Sequence, residues 1–403
     1  MKKSMIVAAM LAMVATGANA KSATDSATIA KNKPVFTVVK QNPITSIKDQ
    51  NRSGTCWAYS TLSYFESEIL KHTGKTYDLS EMFVANKTYM DRATMAVRMH
   101  GDVSFSQGGS AYDVLYALQH YGIVPEGAMP APGTLTGDSL ANFGEFFDVM
   151  TPYVEAVAKS NAKKISSAWK SGLQGIIDSY IGKTPEKFTY QGKQYTPQSF
   201  CQSLGLNLDD YVTITSYTHH PMWSKFAVEV QDNWRWPLSY NVPMDDLCKI
   251  IDNAINIGYT VAWGGDVTED GFTRKGLGIA YDVKKVRSMA GTDADHWFKL
   301  SKDEKKEKFD SLGVNAPEVV PTQAMRQEAF DNWETTDDHG MHIYGIAKDQ
   351  NGKEYYMVKN SWGEYGDYKG TWYMTKAFVA YKTMDFMVNK NAIPKDIRKK
   401  LGI

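Results

Sequence analysis

Cysteine is scarce in this chain. Among 403 residues there are three, Cys56, Cys201 and Cys248. That excludes a disulfide-rich scaffold. In an oxidising compartment two readings stay open: Cys201 pairs with Cys248 and leaves Cys56 as the odd thiol, or both are free buried thiols. Net charge is also missing, with 45 basic residues against 45 acidic ones. No global field therefore points to nucleic acid or to anionic lipid. Long apolar runs are absent beyond the first twenty residues, so no bilayer span is expected in the mature chain.

The first twenty residues form a distinct segment. Met1-Lys2-Lys3 opens a basic stretch, Ile6 to Val14 is apolar, and Ala18-Asn19-Ala20 has the small-x-small form of a cleavage site. This pattern is that of a secretory signal peptide. The expectation is an exported protein, periplasmic or extracellular, beginning near Lys21. Residues 21–40 are read as a flexible lead, and the stretch up to Cys56 leaves little room for a folded inhibitory pro-segment.

The most informative stretch runs from Asp49 to Ser60. Arg52-Ser53-Gly54 reads as a turn. Beyond it Ala58, Leu62, Phe65 and Ile69 make one apolar face of a helix, which Lys71, His72 and Gly74 end. Cys56 thus stands where a turn becomes a helix N-terminus, whose free N–H groups favour a thiolate. Position alone does not decide its role, because most buried cysteines are inert hydrophobes.

A second stretch supplies the partner. His342 to Ala347 and Tyr355 to Val358 are β-prone, and an Asn351-Gly352 turn signal lies between them. A hairpin symmetric about Asn351 puts His342 opposite Asn360. It leaves His339 opposite Gly363, so His342 is the expected base. A thiolate needs an imidazole to take and return its proton, and an asparagine oxygen can hold that ring in one tautomer. Trp362 is placed to cover the histidine–asparagine hydrogen bond. Gln50 and the Cys56 backbone N–H are the expected oxyanion donors.

These segments resemble the papain-like cysteine peptidases. The resemblance is carried by Gln50, by Ser53-Gly54-Thr55-Cys56-Trp57-Ala58-Tyr59-Ser60, by Gly108-Gly109, by His342-Ile343-Tyr344-Gly345 and by Lys359-Asn360-Ser361-Trp362-Gly363. It implies an α+β fold: a helical domain with the nucleophile, a β-barrel-like domain with the histidine and asparagine, and a large helical insert. It also implies roles for Cys56 (nucleophile), His342 (base and acid), Asn360 (orienter) and Gln50 (oxyanion donor). Gly108, Gly109, Trp57 and Trp362 would contact substrate. Within the clan the chain resembles the bleomycin hydrolase and aminopeptidase C branch. His219-His220-Pro221-Met222-Trp223, Leu238-Tyr240-Asn241, Gly264-Gly265-Asp266-Val267 and Ile393-Pro394 carry that likeness. More chain separates Cys56 from His342 than the roughly 130–150 residues of simple papain-type sequences.

The resulting division is a signal at 1–20, a lead at 21–40, a nucleophile domain at 41–134, a mainly helical insert at 135–255 and a β-rich domain at 256–403. Peptides are the expected substrates, with no metal, cofactor or nucleic acid; a hexamer is implied by analogy only. Metal ligation by His219 and His220 is disfavoured, since adjacent histidines on a strand point apart and no acid stands at ligand spacing. The branch carries a C-terminal arm that enters the cleft and binds the free amine of substrate. Here the chain stops at Ile403, so an open-cleft endopeptidase stands as the alternative to an aminopeptidase. A non-catalytic exported scaffold is the second alternative.

Overall fold

The computed structural model describes residues 33–132, 140–289 and 300–403, the last span without 302, 306–308 and 310–311. The signal segment and most of the lead lie outside the described residues. No helix among those described is long and apolar enough to cross a membrane.

The helical half is built on α1 (Cys56–Thr73), α2 (Glu81–Arg98), α3 (Ala111–His120), α4 (Gly144–Ala158) and α5 (Ala168–Tyr180). Its boundaries follow local chemistry. Gly74 closes α1 at φ 70°, with its N–H on Leu70 O, as a left-handed C-cap requires. Ser80 caps α2 by accepting from Phe83 N. The sequence predicts one apolar face for α1, but it is buried all round from Trp57 to Ile69. One side packs into the helical core, with Leu62 and Phe65. The other carries Ser60, Ser63 and Ser67, one face at helical spacing, and these short side chains let a strand come close.

That strand belongs to the second half. The chain contributes β1 (Thr37–Gln41), a small hairpin β2 (Phe188–Tyr190) and β3 (Lys193–Tyr195), then β4 (Tyr211–Thr215), β5 (Lys225–Phe226) and β6 (Ser239–Asn241). There follow β7 (Val261–Gly265), β8 (Phe272–Thr273), β9 (Leu277–Gly278), β10 (His339–Lys348), β11 (Glu354–Lys359), β12 (Thr371–Thr375) and β13 (Thr383–Asn389). Apart from β2 and β3, the described strands form one sheet in the order β5-β6-β4-β13-β7-β10-β11-β12-β9-β8, with β1 also on β10. Its own core gathers Trp263, Met341, Ile343, Tyr356, Trp372 and Phe386.

Two expected boundaries shift. The end of the lead is an ordered strand, since Thr37–Gln41 pairs with β10. The insert is helical through α5, but from Tyr211 onward it feeds strands into the main sheet, β4 lying against β13. Cys201 and Cys248 are both free. Cys201 instead donates its S–H toward Leu118 O.

The register of the β10–β11 hairpin decides the site. Near the turn the expected symmetry holds: Ala347 pairs with Tyr355, Ile346 with Tyr356 and Gly345 with Met357. It then slips by one across a bulge at Tyr344, so that Ile343 pairs with Val358 and His342 with Lys359. The cause is β1. Asn42 N donates to the bulged Tyr344 O at 3.0 Å, and a Cβ at Gly345 would fall 2.8 Å from Lys40 O. A glycine inside a strand often marks such a bulge and close backbone approach.

Gly345→Val should therefore force β1 away. Overpacking of this kind costs about 1–3 kcal/mol. Urea unfolding of the variant should show a lower midpoint with the slope unchanged.

Candidate active site

Cys56 is the first residue of α1, and Thr55, Ser53 and Gln50 prepare its approach. Ser53 Oγ lies 2.6 Å from Thr55 Oγ1 and donates to Gln50 O at 2.7 Å. Gln50 is held on both sides of its amide. Its Nε2 donates to Ser53 O at 2.7 Å, and its Oε1 accepts from Ser361 Oγ at 2.6 Å. One N–H of the amide is left for a further acceptor.

The segment carrying Gln50 is zipped to the segment that follows β11. Gln50 N donates to Ser361 O at 2.8 Å and Gly363 N to Lys48 O at 3.0 Å. Lys48 pins the other end, with Nζ 2.8 Å from Glu81, 2.6 Å from Asp78 and 3.3 Å from Glu66. Burial alone would lower the Lys48 pKa, but the facing carboxylates Glu81, Glu66 and Asp78 outweigh it and raise it well above the usual value.

The histidine beside Cys56 is His339, not His342. His339 Nε2 lies 2.8 Å from Asn360 Oδ1. The Trp362 ring sits over His339 with centroids 4.9 Å apart and shields that bond, although Trp362 does not line the cleft. His339 and Cys56 line the same cavity of about 260 Å³, and the next residue, Gly340, offers its backbone N–H to the Cys56 sulfur. With Nε2 committed to Asn360, Nδ1 is the ring nitrogen left for the thiol.

His342 is a correction to the sequence reading. It is fully buried, its Nδ1 is 2.9 Å from Ser63 Oγ on α1, and Nε2 has no hydrogen-bond partner among the described residues. Burial, and then the Lys359 charge, hold its pKa well below the usual range. It is a neutral core histidine. The reason is the bulge at Tyr344: a one-residue slip turns every following side chain to the other face of the strand.

Both members of the Cys56–His339 pair are desolvated. Burial pushes the Cys56 thiol up to about 11, opposed by the N–H groups of Gly340 and Trp57 and reinforced by the charges of Asp337 and Asp232. The N–H of Trp57 at the helix terminus lowers this pKa as its position suggests, but burial outweighs it. Burial likewise lowers His339, opposed by the Asn360 hydrogen bond and by Asp338. Each charge alone is penalised, but a thiolate and an imidazolium formed together offset one another where the effective dielectric is low.

Three of the other expected contacts line the cavity: Gly108, Gly109 and Trp57. Trp57 is fixed by its Nε1–H on Gln107 O at 3.0 Å. A Cβ at Gly109 would meet the Trp57 ring at 2.9 Å. Four further wall residues, Asp232, Asp337, Asp338 and Asp385, escaped the sequence reading. His219 and His220 do converge, with Nε2 atoms 3.0 and 2.8 Å from the two oxygens of Glu229. They sit in a turn rather than a strand, so the alternation argument does not apply.

A thiol at a helix start, an imidazole held by an asparagine amide and a glutamine donor beside them form the constellation of a papain-like thiol peptidase on a helical half and a β half. The chain belongs to the Peptidase C1-like family, which it matches over residues 2–402. It is similar to "Aminopeptidase G" of Lactobacillus delbrueckii subsp. lactis, 23% identical over 397 residues covering 89% of this chain and 84% of that one. It is similar also to "Aminopeptidase C" of Lactobacillus helveticus, 23% identical over 410 residues, with 90% and 85% covered. Its fold matches that of PepW from Lactobacillus rhamnosis HN001 with a TM-score of 0.69 at 20% identity, covering 94% of this chain and 86% of that one.

Exchange of the two histidines should separate their roles. His339→Ala should lower kcat/KM by about 10²–10⁴-fold, the range for loss of a general acid–base. His342→Leu should act mainly on stability, read as a lower Tm, with kcat/KM kept within severalfold of wild type. The reverse result would restore His342 as the base.

Proposed function

We propose that this chain is an exported cysteine aminopeptidase, acting on peptides through a thioester. The observation that carries the reading is the 2.8 Å hydrogen bond between Asn360 Oδ1 and Nε2 of His339, which lines the cavity that also holds Cys56. The names of the relatives support the aminopeptidase part, and the residue pattern of 1–20 supports export.

The steps follow from the geometry. His339 Nδ1 takes the Cys56 proton and the sulfur attacks the scissile carbonyl. The oxyanion accepts from the second N–H of Gln50 and from the Cys56 backbone N–H. The imidazolium gives its proton to the departing amine as the C–N bond breaks, leaving a thioester on Cys56. Water, deprotonated by His339, then attacks the thioester, and the acid is released as the thiol regains its proton. No step needs a metal or an organic cofactor. The endopeptidase alternative requires an extended substrate along the Gly108 edge, and that edge is engaged: Gly108 O already accepts from Arg92 Nη1 at 2.6 Å.

Alkylation by iodoacetamide across pH tests the ion pair, with Cys56→Ala as the blank for Cys201 and Cys248, whose thiols burial also pushes up to about 11. A raised thiol pKa favours the neutral form, so a lone Cys56 gains reactivity only as pH rises. His339→Ala should label with an apparent pKa near 11. Wild type should label substantially already at neutral pH. Superimposable profiles would sink the paired mechanism. In the same assays Gln50→Ala should lower kcat by about 10²–10³-fold, the effect of one oxyanion donor.

A further inference from the structure

One wall of the cleft is a loop that no catalytic step uses. Val228, Val230, Asp232 and Asn233 face Cys56 and His339 across the same cavity. The loop is tied at both ends. On one side Glu229 is gripped by His219 and His220. On the other, Arg235 donates to Asp113 Oδ1 at 2.7 Å and to Asp91 Oδ2 at 2.6 Å, and its guanidinium lies 3.8 Å from the Tyr116 ring centroid. Within the loop Asn233 Nδ2 donates to Val228 O at 2.9 Å. It is a fixed strap rather than a free segment.

The strap presses a carboxylate onto the glycine edge. A Cβ at Gly108 would fall 1.8 Å from Asp232 Oδ2 and 2.6 Å from Oδ1, so Asp232 covers that glycine face directly. Arg92 Nη2 and Ser106 Oγ reach Asp232 at 3.1 and 3.3 Å, and both bonds go to Oδ1. Among the described residues none is made to Oδ2. Asp337, Asp338 and Asp385 line the same cavity, and no lysine or arginine does. Burial, and then the neighbouring Asp232, Asp385 and Asp338, raise the Asp337 carboxyl well above its usual value. A cation is the ligand such a wall accommodates.

Peptide geometry says which cation. In a substrate cut after its first residue, the free ammonium is two bonds from the attacked carbon, about 2.5 Å away. A group that recognises it must stand on the cleft wall beside Cys56. We infer that Asp232 is the residue that binds the α-ammonium of the substrate, and that the 228–233 strap closes the cleft to chain extending beyond it. This rests on the peptidase reading above and names what sets its substrate class. An acylated amine would bring an acceptor oxygen against Asp232 Oδ2, the oxygen that neither Arg92 nor Ser106 reaches, and a site built to hold a charge there rejects it strongly.

The experiment has two readouts. The first is protection of Cys56 from iodoacetamide by alanine amide and by N-acetylalanine amide, in wild type and in Asp232→Asn. The second is turnover of the matching fluorogenic substrates, with Cys56→Ala as blank. Wild type should be protected by, and should cleave, only the free amine. Asp232→Asn, isosteric and checked for folding by circular dichroism, should lose that protection and drop about 10²-fold in kcat/KM on the free amine, the scale for truncating one partner of a buried charge pair. A des-amino substrate on wild type should show a similar loss without any mutation. Equal protection by both amides in wild type, or undiminished discrimination in Asp232→Asn, overturns the inference. Discriminating protection without any turnover above the Cys56→Ala blank would keep the amine site and overturn the peptidase reading instead.

Discussion

The site depends on how closely β10 can approach the first turns of α1. A Cβ at position 340 would lie 2.6 Å from Ser60 Oγ and 3.3 Å from both Cys56 O and Trp57 Cα. Glycine at 340 and serines along that face of α1 bring the strand backbone against the helix backbone. The close approach does three things at once. It puts the Gly340 N–H on the Cys56 sulfur, it sets His339 at the cleft beside the thiol, and it presses His342 into the helix at Ser63. The two halves of the molecule, each with its own core, meet along this line, and Cys56 and His339 straddle it.

The line is held by groups that are not themselves catalytic. The zipper between Lys48–Gln50 and Ser361–Gly363 ties Gln50 to the residue that follows Asn360. A shift of either would move both, so Gln50 and the histidine keep one relative geometry. Lys48 anchors that zipper to the helical half through three carboxylates. Breaking a buried ion pair by removing one partner costs about 3–5 kcal/mol, which gives the arrangement stiffness without requiring a disulfide. That agrees with a chain whose three cysteines are all free.

Much of this was legible in the sequence. Helix α1, its glycine stop, the serine cap of α2, the Asn351-Gly352 turn and the cysteine at a helix start all follow from local rules, and the fold class follows from the motifs. The choice between two histidines three residues apart did not, because it turned on strand parity. Parity was set by a bulge at Tyr344 that a third strand imposes from far away in sequence. Gly345 was its only local mark. The same limit explains Asp232. Nothing near it in sequence announces a site, since its meaning comes from Arg92, Gly108 and the two clamps on its loop, which are brought together only by the fold.

The cleft also shows why desolvation works here in two directions. It raises the thiol and lowers the imidazole, so neither Cys56 nor His339 carries its charge cheaply alone. It also raises Asp337 and Asp385, so the acidic wall resists filling with negative charge. An entering ammonium changes that balance locally. It gives the wall a counter-charge and displaces water from beside the sulfur, and each remaining electrostatic interaction strengthens as water leaves. The approach of a cation to one wall is then coupled to the ease of forming the thiolate–imidazolium pair on the other. A positive charge near the sulfur favours the thiolate directly, and it opposes the acidic groups of the wall that raise the thiol's pKa. Recognition of the substrate's end and activation of the nucleophile are thus linked by electrostatics across one small cavity.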